Sequence, residues 1–119
     1  MLKSLFLFFI LFICTPVSAT IYTCKYESGF DSNGNKRWYT LTLLLDESSN
    51  KSYHIGKNRR YELLHFPNKN GITFFEERKD GSIMVVTIDS KSKSVYSSHG
   101  TLLGKLLRPI QKTGVCTVI

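Results

Sequence analysis

The chain is thin in the residues that build chemistry. Its 119 residues include three cysteines, three histidines, three prolines and one tryptophan. There is no CxxC, so neither a zinc ribbon nor a thioredoxin-like redox pair is encoded. The histidines His54, His65 and His99 are separated by 11 and 34 residues, with no HxH or HExxH pattern, so no metal centre is implied. GxSxG is absent, which removes the serine-hydrolase elbow. No glycine-rich phosphate loop, EF-hand loop or internal repeat occurs, and no cofactor is implied. Beyond Ala19 no apolar run is long enough to span a bilayer.

What is present begins with a leader. In Met1–Ala19, Lys3 supplies a positive start and Leu5–Cys14 an unbroken apolar run of about ten residues. Pro16 follows, then Val17-Ser18-Ala19 as a small-residue cleavage site. The layout predicts a signal peptide over 1–19 and an exported domain over 20–119, periplasmic or secreted. Ile13 stands where lipoprotein signals carry Gly, Ala or Ser, which argues against lipidation at Cys14. The mature domain has 100 residues, with 15 Lys and Arg against 9 Asp and Glu, a formal +6. That length gives one domain with one modest core. Export puts Cys24 and Cys116 in an oxidising compartment, where two lone cysteines pair. A disulfide there ties the first strand to the C-terminal tail. A reactive thiol or a metal site is the alternative, but no histidine cluster accompanies the pair.

The hydropathy pattern is β throughout. Alternation runs through Ile21–Tyr26, Arg37–Asp46, Ser52–Ile55, Arg60–Phe66, Ile72–Arg78, Ile83–Asp89 and Val95–His99. Turns fall at Gly29–Asn35, Asp46–Lys51, Gly56–Arg59, Pro67–Gly71, Lys79–Ser82 and Ser90–Ser94, with Asp80-Gly81 the strongest hairpin signal. Thr101–Arg108 breaks the rhythm. Its leucines 102, 103, 106 and 107 fit a short helix or a loop packed over a barrel mouth. The expectation is an all-β antiparallel meander of six to eight strands, a small barrel or half-barrel with a short C-terminal helical or loop segment. Core candidates are Tyr22, Tyr39, Leu41, Leu43, Leu45, Ile55, Leu63, Phe74, Met84, Val86 and Ile88.

Thr87-Ile88-Asp89, the lysine-bearing turn, Val95-Tyr96-Ser97-Ser98-His99 and the final Gly114-Val115-Cys116, with Tyr22-Thr23-Cys24-Lys25-Tyr26 near the start, resemble small exported bacterial β-domain proteins. The resemblance implies a compact disulfide-tied β-domain of the envelope and carries over no functional residue.

Three function classes remain. Basic clusters at turns, Lys57-Asn58-Arg59-Arg60 and Lys91/Lys93, favour polyanions; solubility and protection of strand edges is their plain alternative. Trp38 lies on the face opposite Leu41 and Leu43, beside Thr40 and Thr42, where a solvated indole suits a sugar or a nucleobase. Lys57, Arg59, Arg60, Lys91, Lys93, Trp38 and His99 are therefore the ligand-binding candidates of a non-enzymatic envelope or secreted module for anionic polymers or glycans. An inhibitor of a secreted hydrolase, presenting a rigid hairpin to an extracellular or periplasmic protein, is the second class. Envelope lysozyme inhibitors share this size and β-rich character, but their Ser-Gly-x-Gly-x-Arg-Tyr-like loop is absent, and +6 suits a cationic lysozyme poorly. A small nuclease using His54, His99, Glu62 and Arg60 is the third; it needs those groups within reach of one substrate.

Overall fold

A computed structural model of the chain describes residues 18–100 and 109–119. Residues 1–17, most of the leader predicted over 1–19, and the leucine segment 101–108 lie outside the described residues. Among the described residues eight strands form in chain order: β1 (Ala19–Phe30), β2 (Lys36–Asp46), β3 (Lys51–Ile55), β4 (Arg60–Asn68), β5 (Gly71–Glu77), β6 (Ile83–Asp89), β7 (Lys93–His99) and β8 (Ile110–Val118). Each pairs antiparallel with its neighbour in sequence, and β8 pairs back onto β1, closing an up-and-down barrel. Closure removes the free sheet edges that an open meander would expose. Among the described residues no helix is long and apolar enough to cross a membrane.

The registers turn alternation into an inside and an outside. Cys24 faces Leu41, Leu43 faces His54, Ser52 faces Leu63, and His65 faces Phe74. Phe74 faces Val86, Val86 faces Tyr96, and Tyr96 faces Lys112. Because opposed residues share a face, these chains define the barrel interior. The core is Cys24, Tyr26, Leu41, Leu43, Leu45, Leu63, Ile72, Phe74, Met84, Val86, Ile88, Tyr96 and Cys116. Tyr22 and Tyr39 are partly buried against it. Ile55 is corrected as a core candidate: it ends the shortest strand on the outward phase and is 38 % exposed.

Two elements depart from the sequence pattern. Pro67 does not stop β4, which runs to Asn68 with Pro67 opposite Ile72, leaving a two-residue turn. An extended backbone accepts proline's φ, and its missing donor is tolerated near a strand end. Residues 110–118 form a full strand although their inward positions include Lys112 and Gly114 rather than an apolar series. Gly114 is required by close approach. A Cβ there would run into the Lys25 carbonyl oxygen and lie 2.7 Å from Tyr26 Cδ1, so the β1–β8 seam closes only over a bare backbone.

The seam also carries the covalent closure. Cys24 and Cys116 are direct cross-strand partners and form a disulfide across a sequence separation of 92. Every aspartate of the chain accepts hydrogen bonds from a hairpin turn. Asp31 Oδ1 accepts from the Asn33 and Asn35 amides, and Asp46 Oδ1 from the Ser48 amide and hydroxyl. Asp80 Oδ1 takes the same pair from Ser82, and Asp89 Oδ1 the Lys91 and Lys93 amides. These are the Asx turns that aspartate forms readily.

Candidate binding cleft

The meander places the β1–β2, β3–β4 and β5–β6 turns at one end of the barrel and the β2–β3, β4–β5 and β6–β7 turns at the other. Near the first end β4 and β5 part company. Their pairing starts at Leu64–Phe75, so Arg60–Leu63 pair with β3 alone and Glu76–Glu77 with β6 alone. A cleft of about 740 Å³ opens between the two hairpins, lined by His54, Arg59, Arg60, Tyr61, Glu76 and Arg78 among others.

Its inner wall is polar. Glu76 follows Ile72 and Phe74 at alternate positions, so the strand turns its carboxylate inward, where it is only 4 % exposed. Both oxygens are engaged: Oε1 lies 3.2 Å from His54 Nδ1, and Oε2 accepts from Arg78 Nε at 3.1 Å. Burial works against the Arg78 charge, but the hydrogen bond and field of Glu76 outweigh it and raise the guanidinium pKa. Behind this group stand Tyr39 and Tyr96, 5.4 Å apart between ring centroids, with Lys112 Nζ 5.2 Å from the Tyr39 ring. Burial raises the Tyr39 and Tyr26 phenol pKa values, and the Tyr26 hydroxyl is satisfied by Ser94 Oγ at 2.7 Å. The apolar half of the core lies toward the other end, around Leu45, Ile72 and Ile88.

The outer rim is cationic. Arg60 lies over the Tyr53 ring at 4.2 Å and Arg59 over Tyr61 at 6.0 Å. Among the described residues neither arginine makes an ion pair, whereas Glu62 is taken by Lys51 at 3.7 Å. Stacked on a ring, a guanidinium keeps its donor fork free and loses little further freedom on binding a phosphate, sulfate or carboxylate.

Of the residues singled out in the sequence, Arg59, Arg60 and His54 come together here, with Glu62 beside them. Lys57 is exposed in the same β3–β4 turn. Lys91 lies in the β6–β7 turn and Lys93 opens β7, both toward the far end of the barrel. Trp38 is outward-facing and 57 % exposed. His99 is exposed on the outer side of β7 opposite Ile83, three strands from β4. His65 bonds Ser52 Oγ and Asn50 Oδ1. The nuclease constellation is thus brought together only in part, with its second histidine elsewhere. Among the described residues no group of three or more His, Cys, Asp or Glu side chains could hold a metal. Sequence reasoning missed Glu76, Arg78 and the two tyrosine platforms. The signal for Glu76 was its phase, in register with Ile72 and Phe74.

Comparison with protein-family models, curated proteins and solved structures finds no match to this chain.

Proposed function

We propose that this is an exported, non-enzymatic binding barrel of the periplasm or secreted space, which takes the anionic groups of a polymer or glycan at the cleft beside the β3–β4 hairpin. The observation that carries this reading is the pair Arg59 and Arg60, stacked on tyrosines at the cleft rim and free of carboxylate partners among the described residues. Both arginines line an opening of about 740 Å³, Arg59 on the inward Tyr61 side of the hairpin and Arg60 on its outward Tyr53 side. The Cys24–Cys116 disulfide and the leader-like N-terminus support export. Glu76 acts as a wall rather than a reactive group, since both its oxygens are already engaged.

The test is binding to inorganic polyphosphate and to dextran sulfate, with neutral dextran as control, over a salt series. Affinity falls steeply with salt for the two polyanions and is absent for dextran. Arg59→Ser/Arg60→Ser weakens binding about tenfold or more, the worth of one or two charge-assisted hydrogen bonds. Undiminished binding by that variant overturns the assignment.

One observation favours the inhibitor reading as second. The β1–β2 hairpin ends in Phe30, 64 % exposed, beside a turn locked by Asp31. A rigid apolar tip of this kind suits insertion into a partner enzyme. Phe30→Ala, with the arginines intact, separates that reading from the first.

A further inference from the structure

The side of the barrel away from the cleft bears a second feature. A shallow groove of about 570 Å³ crosses the outer faces of β2, β1, β8, β7 and β6. Trp38, Lys25, Lys93, Thr113, Val95 and Val115 are among its lining residues. The registers explain the convergence. Lys25 faces Val115, and Val115 faces Lys93, which sets the two lysines on either side of one valine, roughly 10 Å apart at the usual strand spacing. Glu27 faces Trp38 two residues beyond Lys25 on the same face of β1, and Thr113 faces Val95 on the adjoining strands. Trp38 is 57 % exposed and Val115 61 %.

The charges in the groove are not equivalent. Of its two carboxylates, Glu27 pairs with Lys36 at 3.7 Å, and Asp89, at the β6 edge of the groove, turns Oδ1 to the Lys91 and Lys93 amides at 2.9 Å. Lys25 and Lys93 make no ion pair among the described residues. Followed along the curved sheet, the groove's four strand intervals amount to about 19 Å, a path that suits an extended chain better than a single small molecule. The groove offers one aromatic platform, the Thr87 and Thr113 hydroxyls and two spaced cations. Single-stranded nucleic acid calls for successive aromatic platforms. A linear acidic polysaccharide calls for the set found here: an electron-rich ring against the C–H face of one sugar, hydroxyls for its neighbours, and cations for carboxylates recurring along the chain.

We infer that the Trp38–Lys25–Lys93 groove is a binding site for a linear acidic polysaccharide, a chain of uronate-type sugars, separate from the arginine cleft. The inference rests on the binding-module reading but not on the cleft itself.

Trp38 is the sole tryptophan, so its emission reports on the groove alone. The mature protein is titrated with polygalacturonate, monomeric galacturonate, neutral dextran and a single-stranded oligonucleotide. Polygalacturonate gives a saturable change in emission, while the monomer at equal unit concentration and the dextran give none. Lys25→Ser/Lys93→Ser, its fold checked by far-ultraviolet circular dichroism, weakens polygalacturonate about tenfold. Arg59→Ser/Arg60→Ser leaves it within about twofold. A flat emission, an equal response to dextran, tighter binding of the oligonucleotide, or loss of the response in the arginine variant rather than the lysine variant each overturns the groove. Loss of polyphosphate binding in the arginine variant concerns the cleft alone, so the two assignments fail separately.

Discussion

Opening the Cys24–Cys116 bond tests how far the barrel depends on its seam. The bond spans a sequence separation of 92, almost the whole of the chain that forms the barrel. Closing a loop of that length removes about 4.7 kcal/mol of chain entropy from the unfolded state at 25 °C. A domain of this class is stable by only about 5–15 kcal/mol, so the bond accounts for a third or more of the total. The β1–β8 ladder from Tyr22–Val118 to Tyr26–Gly114 supplies backbone pairing independent of the bond, so the expected outcome of reduction is a native fold with a smaller margin. Cys24→Ala/Cys116→Ala loses the same entropy and also the packing of two buried sulfur atoms, a further ~1–2 kcal/mol. Urea unfolding followed by Trp38 emission and far-ultraviolet circular dichroism compares oxidised protein, reduced protein and the double variant. The expected order of midpoints is oxidised, then reduced, then double variant, with about 4–5 kcal/mol between the first two. A gap under about 1 kcal/mol between oxidised and reduced protein refutes the reasoning, as does a count of two free thiols in protein recovered from an oxidising compartment.

Two further outcomes follow from the packing and the turns. Gly114→Val drives a side chain into the Lys25 carbonyl and the Tyr26 ring and costs about 3 kcal/mol or more, whereas Gly100→Ala, whose Cβ meets only Ser82 Cβ at 3.4 Å, stays within about 1 kcal/mol; parallel urea melts check both. Hydrogen bonds from Ser48 and Ser82 lower the carboxyl pKa values of Asp46 and Asp80. Their stabilisation is therefore complete above the ordinary aspartate pKa and is lost as pH falls through the lowered native values. Asp46→Asn/Asp80→Asn flattens the acid limb of a stability-against-pH curve, and an unaltered limb contradicts the assignment.

Much of the fold was legible because the inward positions of β2, β5 and β6 carry Leu41, Leu43 and Leu45, then Ile72 and Phe74, then Met84, Val86 and Ile88. Period-2 alternation reads directly from such strands. β8 was not legible, because closure there uses Gly114, Cys116 and the long stem of Lys112 in place of an apolar series. Ile55 misled because hydrophobicity alone does not tell a core position from the outward end of a short strand. At the site, Arg59 and Arg60 were visible as a turn cluster. The stacking of Arg60 on Tyr53 depends on the cross-strand geometry of β3 and β4, whereas Arg59 lies over Tyr61 only two residues along the chain. The meeting of Lys25 with Lys93 was hidden for a different reason: it rests on two strand pairings, one of which joins residues at opposite ends of the chain.

The central claim is that the two arginines of the β3–β4 hairpin form an anion site, rather than merely contributing to a +6 surface. The direct measurement is the affinity of the 20–119 domain for polyphosphate, comparing Arg59→Ser/Arg60→Ser with Lys69→Ser/Lys91→Ser, which removes the same charge from exposed turns at the far end of the barrel. The account predicts about a tenfold or greater loss in the arginine variant and a change within about threefold in the lysine variant. Equal losses in the two would mean that net charge alone attracts the polymer, and would contradict the assignment of a site.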